Sequence, residues 1–499
     1  MKFINKIAVG LTLIGAVTFS SCSEDYLETA PSDQVSDVLI ASSLDNLYLA
    51  LNGLLSEFVS QETGYQCFGG LPGFNVGLET AGDDMTWKSS TWYKTTLHSW
   101  DSFTSENSGY NYKYWQIFYQ WILNANKILE CLEVVNITDQ TLYDQVKGEA
   151  LAIRGFAHFY LVQLYGPRYD ASSSNSADGI IYRTSSAATE QARESVATVY
   201  DMVIADLDAA CALLEPISGL AVSHISSKVA YGFRARVAMA QQDYANAAVY
   251  AAKAISIAES DGLALMEGNE LYCGFADITS DTDEAMHADI TVDEETVYYY
   301  SFYAYMSWNY NSSAIRGGVK CINADTYDTM SETDLRRAWF DPTGEAEVPS
   351  TSYAKTAYQN RKFEARSTGS AVGDFAFMRL AEMYLTLAEA YVRSGNDASA
   401  QSTFTAFQVT RDPSYVALGN SGDTLAEEIM NSRRIELWGE GFRFFDLKRL
   451  DLDLQRGRNF DVAFSSFLYK DRASVATEWT WQIPDVETNY NTLCTINYY

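Results

Sequence analysis

The sequence predicts a mainly α protein, with helical hairpins forming a scaffold beside a large irregular, loop-rich half that holds a few short strands. Three observations predict it. Two stretches repeat the spacing of small and aromatic residues that lets antiparallel helices approach closely, apolar stripes recur elsewhere at intervals of three and four, and the segment between the two stretches is acidic, then densely aromatic, with no helical period.

At the start of the chain, Lys2 and Lys6 precede an apolar run over residues 7–19. That run is too short for a bilayer-spanning helix, which needs about 20 residues, and suits the apolar region of a signal peptide. It ends in Phe19-Ser20-Ser21-Cys22, and small residues before a lone cysteine resemble a bacterial lipobox. Residues 1–21 then read as a lipoprotein signal peptide and Cys22 as the lipidated N-terminus, anchored to a membrane rather than spanning it. The other reading is an ordinary secretory signal with an incidental Cys22. The "SEDYLE" that follows is similar to the acidic surface-export tag of Bacteroidetes-type lipoproteins, which implies an outward-facing position on the cell outer membrane.

Residues 85–100, "MTWKSSTWYKTTLHSW", place Trp87, Trp92 and Trp100 among polar residues, on no common helical or strand face. A core role is therefore not signalled. From 114 to 135, Trp115, Phe118, Ile122, Ala125, Leu129 and Leu132 form one helical stripe. A second helix runs through "GEALAIRGFAHFYLVQLYG" to Gly166-Pro167, expected to stop it with a left-handed glycine and a missing donor, and the Ser-rich 169–179 is a loop.

From 228, Tyr231, Ala235, Ala238, Ala247, Ala251 and Ala254 stand where a tetratricopeptide hairpin packs; Tyr384, Leu387, Ala388, Tyr391, Ala400 and Phe404 repeat the arrangement, with Gly395 in the turn. So long an interval separates the two hairpins that they are not expected to form an uninterrupted solenoid. In the interval, "DITSDTDEAMHADITVDEE" reads as a solvated connection or, less in keeping with its ligand spacing, a calcium loop. The following "TVYYYSFYAYMSWNYNSS" reads as extended, with Tyr299, Tyr303 and Tyr305 on one strand face and Trp308 and Tyr310 on the other.

A net charge of −30 repels phosphate backbones and anionic headgroups, so nucleic acid is not an expected partner. Beyond Cys22, cysteines at 67, 131, 211, 273, 321 and 494 are too dispersed for a metal motif, and His98, His158, His224 and His287 form no zinc signature. No metal or cofactor is called. Tyrosine outnumbers phenylalanine, 34 to 24, which suits surfaces meeting half-apolar, hydroxylated ligands.

Near the C-terminus, "RRIELWGEGFRFFDLKRL" sets Glu436 and Glu440 one helical turn apart, and paired carboxylates invite a glycosidase reading. Arg433 and Arg443, each three residues away from one of them, are expected to hold both acids ionised, the opposite of what a general acid needs. Neither a GxSxG elbow nor a phosphate-binding loop is present.

The lipobox-like start, "ALAIRGFAHFYLVQLYG", "MRLAEMYLTLAEAYVRSG", "RRIELWGEGFRFFDLKRL" and the closing "WQIPDVETNYN" together resemble the SusD/RagB family of outer-membrane lipoproteins. Ser432-Arg433 stands where the family has a glutamate-arginine pair. The resemblance implies tetratricopeptide-like hairpins under a loop-rich half, with an N-terminal region over 22–270 and a C-terminal region over 271–499. It also implies a non-enzymatic role: capture of oligosaccharide, occasionally peptide, at the cell surface for a SusC-like TonB-dependent transporter, hence polysaccharide utilisation and nutrient uptake. In glycan-binding relatives the sugar lies on an arc of aromatics. On that pattern Trp100 is expected to lead the platform, with Trp92 and Trp308 next, then Trp87, Tyr310 and Tyr305, and with Asn107 and Arg316 binding hydroxyls. The competing functions are peptide capture on the same scaffold and a surface glycoside hydrolase.

Overall fold

The computed structural model describes residues 42–60, 69–87, 95–292, 301–312, 315, 318–350, 353, 355–460 and 471–497. The signal peptide, Cys22, Trp92, Tyr299 and Arg316 lie outside the described residues.

The scaffold is a row of helices: α1 (Leu44–Ser56), α2 (Gly70–Ala81), α3 (Gly109–Leu132), α4 (Gln140–Tyr165), α5 (Val196–Leu214), α6 (Ser227–Ala240), α7 (Tyr244–Ser260), α8 (Leu380–Arg393), α9 (Asp397–Arg411), α10 (Gly422–Glu436) and α11 (Arg443–Arg449). α3 starts where the Ser108 hydroxyl accepts from Asn111 N, and α4 where the Asp139 carboxylate accepts from Thr141 N and Leu142 N. These are side-chain caps for donors that a helix start leaves unpaired. The predicted stripe of α3 is buried, Leu129 only partly. α4 ends at Gly166-Pro167, but Gly166 is extended (φ −98°, ψ 156°) and not left-handed. Glycine is needed there for closeness, since a Cβ would sit 2.8 Å from Val162 O.

Both hairpins form as expected, α6 with α7 and α8 with α9, and Ala235, Ala238, Ala247, Ala251, Ala254, Ala388 and Ala400 are buried between helices. Gly395 takes the left-handed turn (φ 81°), while the first hairpin turns on Gln242 (φ 62°). The two hairpins are neighbours in space: α7 packs directly against α8. The row of helices is therefore continuous, contrary to the interruption expected from the sequence, and residues 261–379 leave it and return to it. The return is pinned by β2 (Ala285–Asp289) pairing antiparallel with β6 (Phe375–Arg379), which runs straight into α8.

Within that excursion and beside it lies a four-stranded antiparallel sheet, β1 (Met85–Thr86), β3 (Cys321–Ile322), β5 (Gln359–Asn360) and β4 (Phe340–Asp341), in the order β1-β3-β5-β4. The register pairs Thr86 with Cys321, Cys321 with Gln359 and Gln359 with Asp341. Strands this short have little stability of their own. They are held by the helices and by a buried ionic cluster where the excursion meets the scaffold. In it, Arg379 Nη1 bonds Glu284 Oε1 (2.5 Å) and Glu436 Oε1 (2.9 Å), Arg411 Nη2 bonds Glu284 Oε2 (2.9 Å) and Glu436 Oε1 (3.0 Å), and Lys362 Nζ bonds Glu440 Oε1 (2.7 Å). Glu284 belongs to the acidic stretch read as a solvated loop, yet it is fully buried; Asp277 of the same stretch pairs with Arg366.

The aromatic stretch departs from its expected extended form. Residues Phe302–Met306 make one helical turn, started by Ser301 Oγ accepting from Ala304 N. Strand alternation therefore does not apply, and Tyr303 and Tyr305 are both buried.

Candidate functional site

The sheet decides which loops meet. Because its strands are antiparallel, the residues leaving β1 and β5 and those entering β3 and β4 emerge at one end. Trp87 follows β1, Lys320 precedes β3, Arg361 follows β5 and Trp339 precedes β4. Asn360 N donates to Lys320 O (2.8 Å), Arg361 N to Trp339 O (2.7 Å), and the Lys320 ammonium lies 5.0 Å from the centre of the Trp87 ring. Trp87 of the first aromatic stretch thereby stands at this sheet end, and the described part of the second reaches it where Asn360 Nδ2 donates to Met306 O.

Not every predicted ring reaches the surface there. Trp100 is 0% exposed, its indole N–H donates to Ala81 O (2.9 Å), and Phe103, Phe444 and Trp479 enclose it. A sugar cannot stack on a ring with no open face, so Trp100 is a core residue and the expectation that it leads the platform is corrected. Trp87 is 3% exposed and packs on His98; Tyr305 and Tyr310 are 3% and 4% exposed and belong to the main hydrophobic core. These three are corrected for the same reason. Asn107 is exposed, in a turn held against the C-terminal segment through Asp485 N donating to Glu106 O (3.0 Å).

Trp308 remains at the surface, half-buried. Its backbone N donates to Phe363 O (3.1 Å), and Asn309 next to it exchanges bonds with Ala365, Nδ2 to O at 2.7 Å and N to Oδ1 at 2.8 Å. This pairing lays Trp308 alongside residues 361–365. The Arg361 guanidinium carbon sits 3.8 Å from the centre of the Trp308 ring, and the neighbouring Glu364 carboxylate accepts from Asn309 Nδ2 (3.4 Å). Partial burial raises the Glu364 pKa, against the lowering effect of the Trp308 side chain and of Arg361. A half-buried indole stacked by a guanidinium, with a half-buried carboxylate close by, sets an apolar ring beside a donor and an acceptor. Arg361 and Glu364 carried no sequence signal, because they lie more than 50 residues from Trp308 and no local spacing relates them.

The carboxylates suspected of catalysis are occupied otherwise. The chain turns out of α10 after Glu436, through left-handed Gly439 and Gly441, so Glu440 is not on the same helix. Burial would raise the Glu436 pKa, but Arg411, Arg379 and Arg336 hold it well below the carboxylate range; Glu440 is lowered against burial by Arg379 and Lys362. Both stay ionised, as expected, but through cations far away in sequence. Arg433 instead pairs with Asp446 and Arg443 with Asp83. A separate open groove of about 940 Å³, lined by Asp83, Arg434, Arg443, Arg456, Arg458 and Asp471, has no aromatic among its described lining residues. Among the described residues no group of His, Cys, Asp and Glu could hold a metal ion, and no helix is long and apolar enough to cross a membrane.

Two family models match the chain: residues 25–239 match a SusD-like model described as starch-binding associating with outer membrane, and residues 274–499 match the SusD family model proper. The chain belongs to the SusD/RagB family. No curated protein is similar enough to count as a match. Solved structures of SusD-like proteins share the fold over nearly all of both chains. A SusD-like carbohydrate binding protein from Bacteroides vulgatus superposes with a TM-score of 0.79 at 22% identity, covering 91% of this chain and 97% of its own. Surface glycan-binding protein A from Bacteroides fluxus gives 0.70 at 18% identity, covering 90% and 97%, and a laminarin binding SusD-like protein gives 0.69 at 17%, covering 91% and 99%. At these identities the SusD-like neighbours speak for the fold, a tetratricopeptide-like helical scaffold. What this SusD/RagB member captures has to be argued from its own side chains.

Proposed function

We propose that the protein is a non-catalytic, surface-exposed lipoprotein that binds oligosaccharide and delivers it to a SusC-like TonB-dependent transporter of the outer membrane. The observation that carries the reading is the Trp308–Arg361–Glu364 group at the sheet end, within a SusD/RagB scaffold. Sugar C–H faces are apolar and stack on indole, while hydroxyls exchange hydrogen bonds with water for bonds to guanidinium and carboxylate. Carbohydrate binding by SusD-like neighbours supports the ligand class, and the lipobox-like Cys22 supports the anchor. The buried, ionised state of Glu436 and Glu440 speaks against hydrolysis at that pair.

One stacked ring with a few exchanged hydrogen bonds corresponds to a dissociation constant on the order of micromolar to millimolar. Calorimetric titration with a panel of soluble glycans tests the proposal: at least one gives heat, and Trp308→Ala weakens it about tenfold or more. Binding unaltered in Trp308→Ala refutes the assigned site, absence of heat with every glycan refutes the ligand class, and new reducing ends on incubation with a polysaccharide refute the non-catalytic role.

A further inference from the structure

Arginines of this acidic chain characteristically end on carboxylates, as Arg379, Arg411, Arg433, Arg443 and Arg449 do. Arg361 ends on none, and where Arg193 and Arg456 spend their donors on several backbone carbonyls, Arg361 makes one hydrogen bond among the described residues. Its protein hydrogen bond runs from Nη1 to Glu347 O (2.8 Å), and among the described residues no carboxylate lies within ion-pair distance of it. The Nε and Nη2 hydrogens, which form the side-on edge of the guanidinium fork, have no protein acceptor among the described residues. Stacking on Trp308 at 3.8 Å together with the Nη1 bond restrains the plane of the fork, so that edge is held in a fixed orientation at a half-buried position. A restrained, planar edge with two parallel N–H donors is the geometry that takes a carboxylate through two bonds at once, and a lysine at the same place would not supply it.

We propose that the Nε–Nη2 edge of Arg361 recognises a carboxylate, so that the oligosaccharide bound beside Trp308 carries a uronate. This rests on the glycan-binding reading of that site and adds the chemical class of sugar. Partial burial without a counter-ion lowers the Arg361 pKa, with Asp341 and Glu364 acting only from farther away, which is the electrostatic condition an incoming carboxylate relieves. The charge of the whole chain sets a limit. At −30 it opposes a polyanion, whereas a single carboxylate on an otherwise neutral oligosaccharide meets mainly the local field, because the rest is screened within about 8 Å at physiological ionic strength. The sugar class inferred is therefore sparsely charged, with isolated uronates on a neutral chain.

The test uses paired ligands: uronate-bearing oligosaccharides released from glucuronoxylan, from pectin and from an arabinogalactan, each beside its carboxyl-reduced, neutral counterpart, with free-carboxylate tripeptides as a further arm. For the mature wild-type protein at least one acidic member is expected to bind about tenfold or more tightly than its reduced partner, with the difference shrinking as salt is raised. Arg361→Ala is expected to weaken both members of a pair and to abolish the difference between them, and Arg361→Lys to restore little of that difference. Equal binding of acidic and reduced partners, or a preference that survives Arg361→Ala, overturns the carboxylate assignment and leaves glycan binding at Trp308 standing. Binding confined to the tripeptides, or to no probe at all, overturns the inference and the glycan reading together.

Discussion

Replacing Glu436 with Gln tests the ionic cluster that joins the excursion to the helices. The Glu436 carboxylate receives Arg379 at 2.9 Å, Arg411 at 3.0 Å and Arg336 at 3.3 Å, and is 0% exposed. Within the cluster Arg336, Lys362, Arg379 and Arg411 face Glu284, Asp334, Glu436 and Glu440, so the charges balance. Glutamine keeps the volume and removes one negative charge, leaving one positive charge uncompensated away from water. Breaking a buried pair in this way costs about 3–5 kcal/mol. For a chain of this size the entropy of melting is on the order of 1 kcal/mol per kelvin, so Tm is expected to fall by about 3–5 °C.

The pH dependence has a definite sign. Glu436 is held well below its ordinary value of 4.5, so its contribution is present in full above about pH 4.5 and is lost as pH falls through the folded value. The gap between wild type and Glu436→Gln is therefore level from pH 6 to 8 and shrinks below pH 4.5. Urea denaturation across that range measures it. A gap under about 0.5 kcal/mol at pH 7, or one that does not narrow in acid, refutes the reasoning.

Trp100→Ala is expected to destabilise the fold by about 3–5 kcal/mol in denaturant titrations, since it empties a fully buried indole site, while the folded variant keeps its glycan affinity; Trp308→Ala shows the reverse. Gly148→Ala gains about 1 kcal/mol of helix propensity but sets a Cβ 2.7 Å from Leu214 Cγ in the α4–α5 contact, and a net loss of about 1–2 kcal/mol in thermal unfolding is expected.

The helices were legible because their information is local: the stripe of α3 and the alanines of the two hairpins declare a buried face through spacing alone. The burial of Trp100 is hidden from the sequence for a related reason. It sits at φ 65°, so no helical or strand period runs through it, and two of the rings that enclose it, Phe444 and Trp479, come from the far end of the chain. An aromatic without periodicity signals exposure in the sequence, yet Trp100 is buried by partners that spacing cannot reveal. Trp308 was found among its neighbours as a ring, but Arg361 and Glu364 are delivered by the register of β5 and by the pairing of Asn309 with Ala365. The Glu436 partners teach the same point: the nearest cations in sequence, Arg433 and Arg443, turn to Asp446 and Asp83, and the carboxylate is neutralised from β6, from α9 and from Arg336.

Because α7 and α8 abut while the chain between them leaves and returns, the ladder of helices has two seams, near residues 260 and 380, at which the intervening segment can be cut out and exchanged. A transplant from a relative would inherit a finished frame on which to seat different loops. The incoming segment would have to carry Glu284, Arg336, Lys362 and Arg379, and the host Arg411, Glu436 and Glu440, the charged side chains that solder it to the rungs beneath.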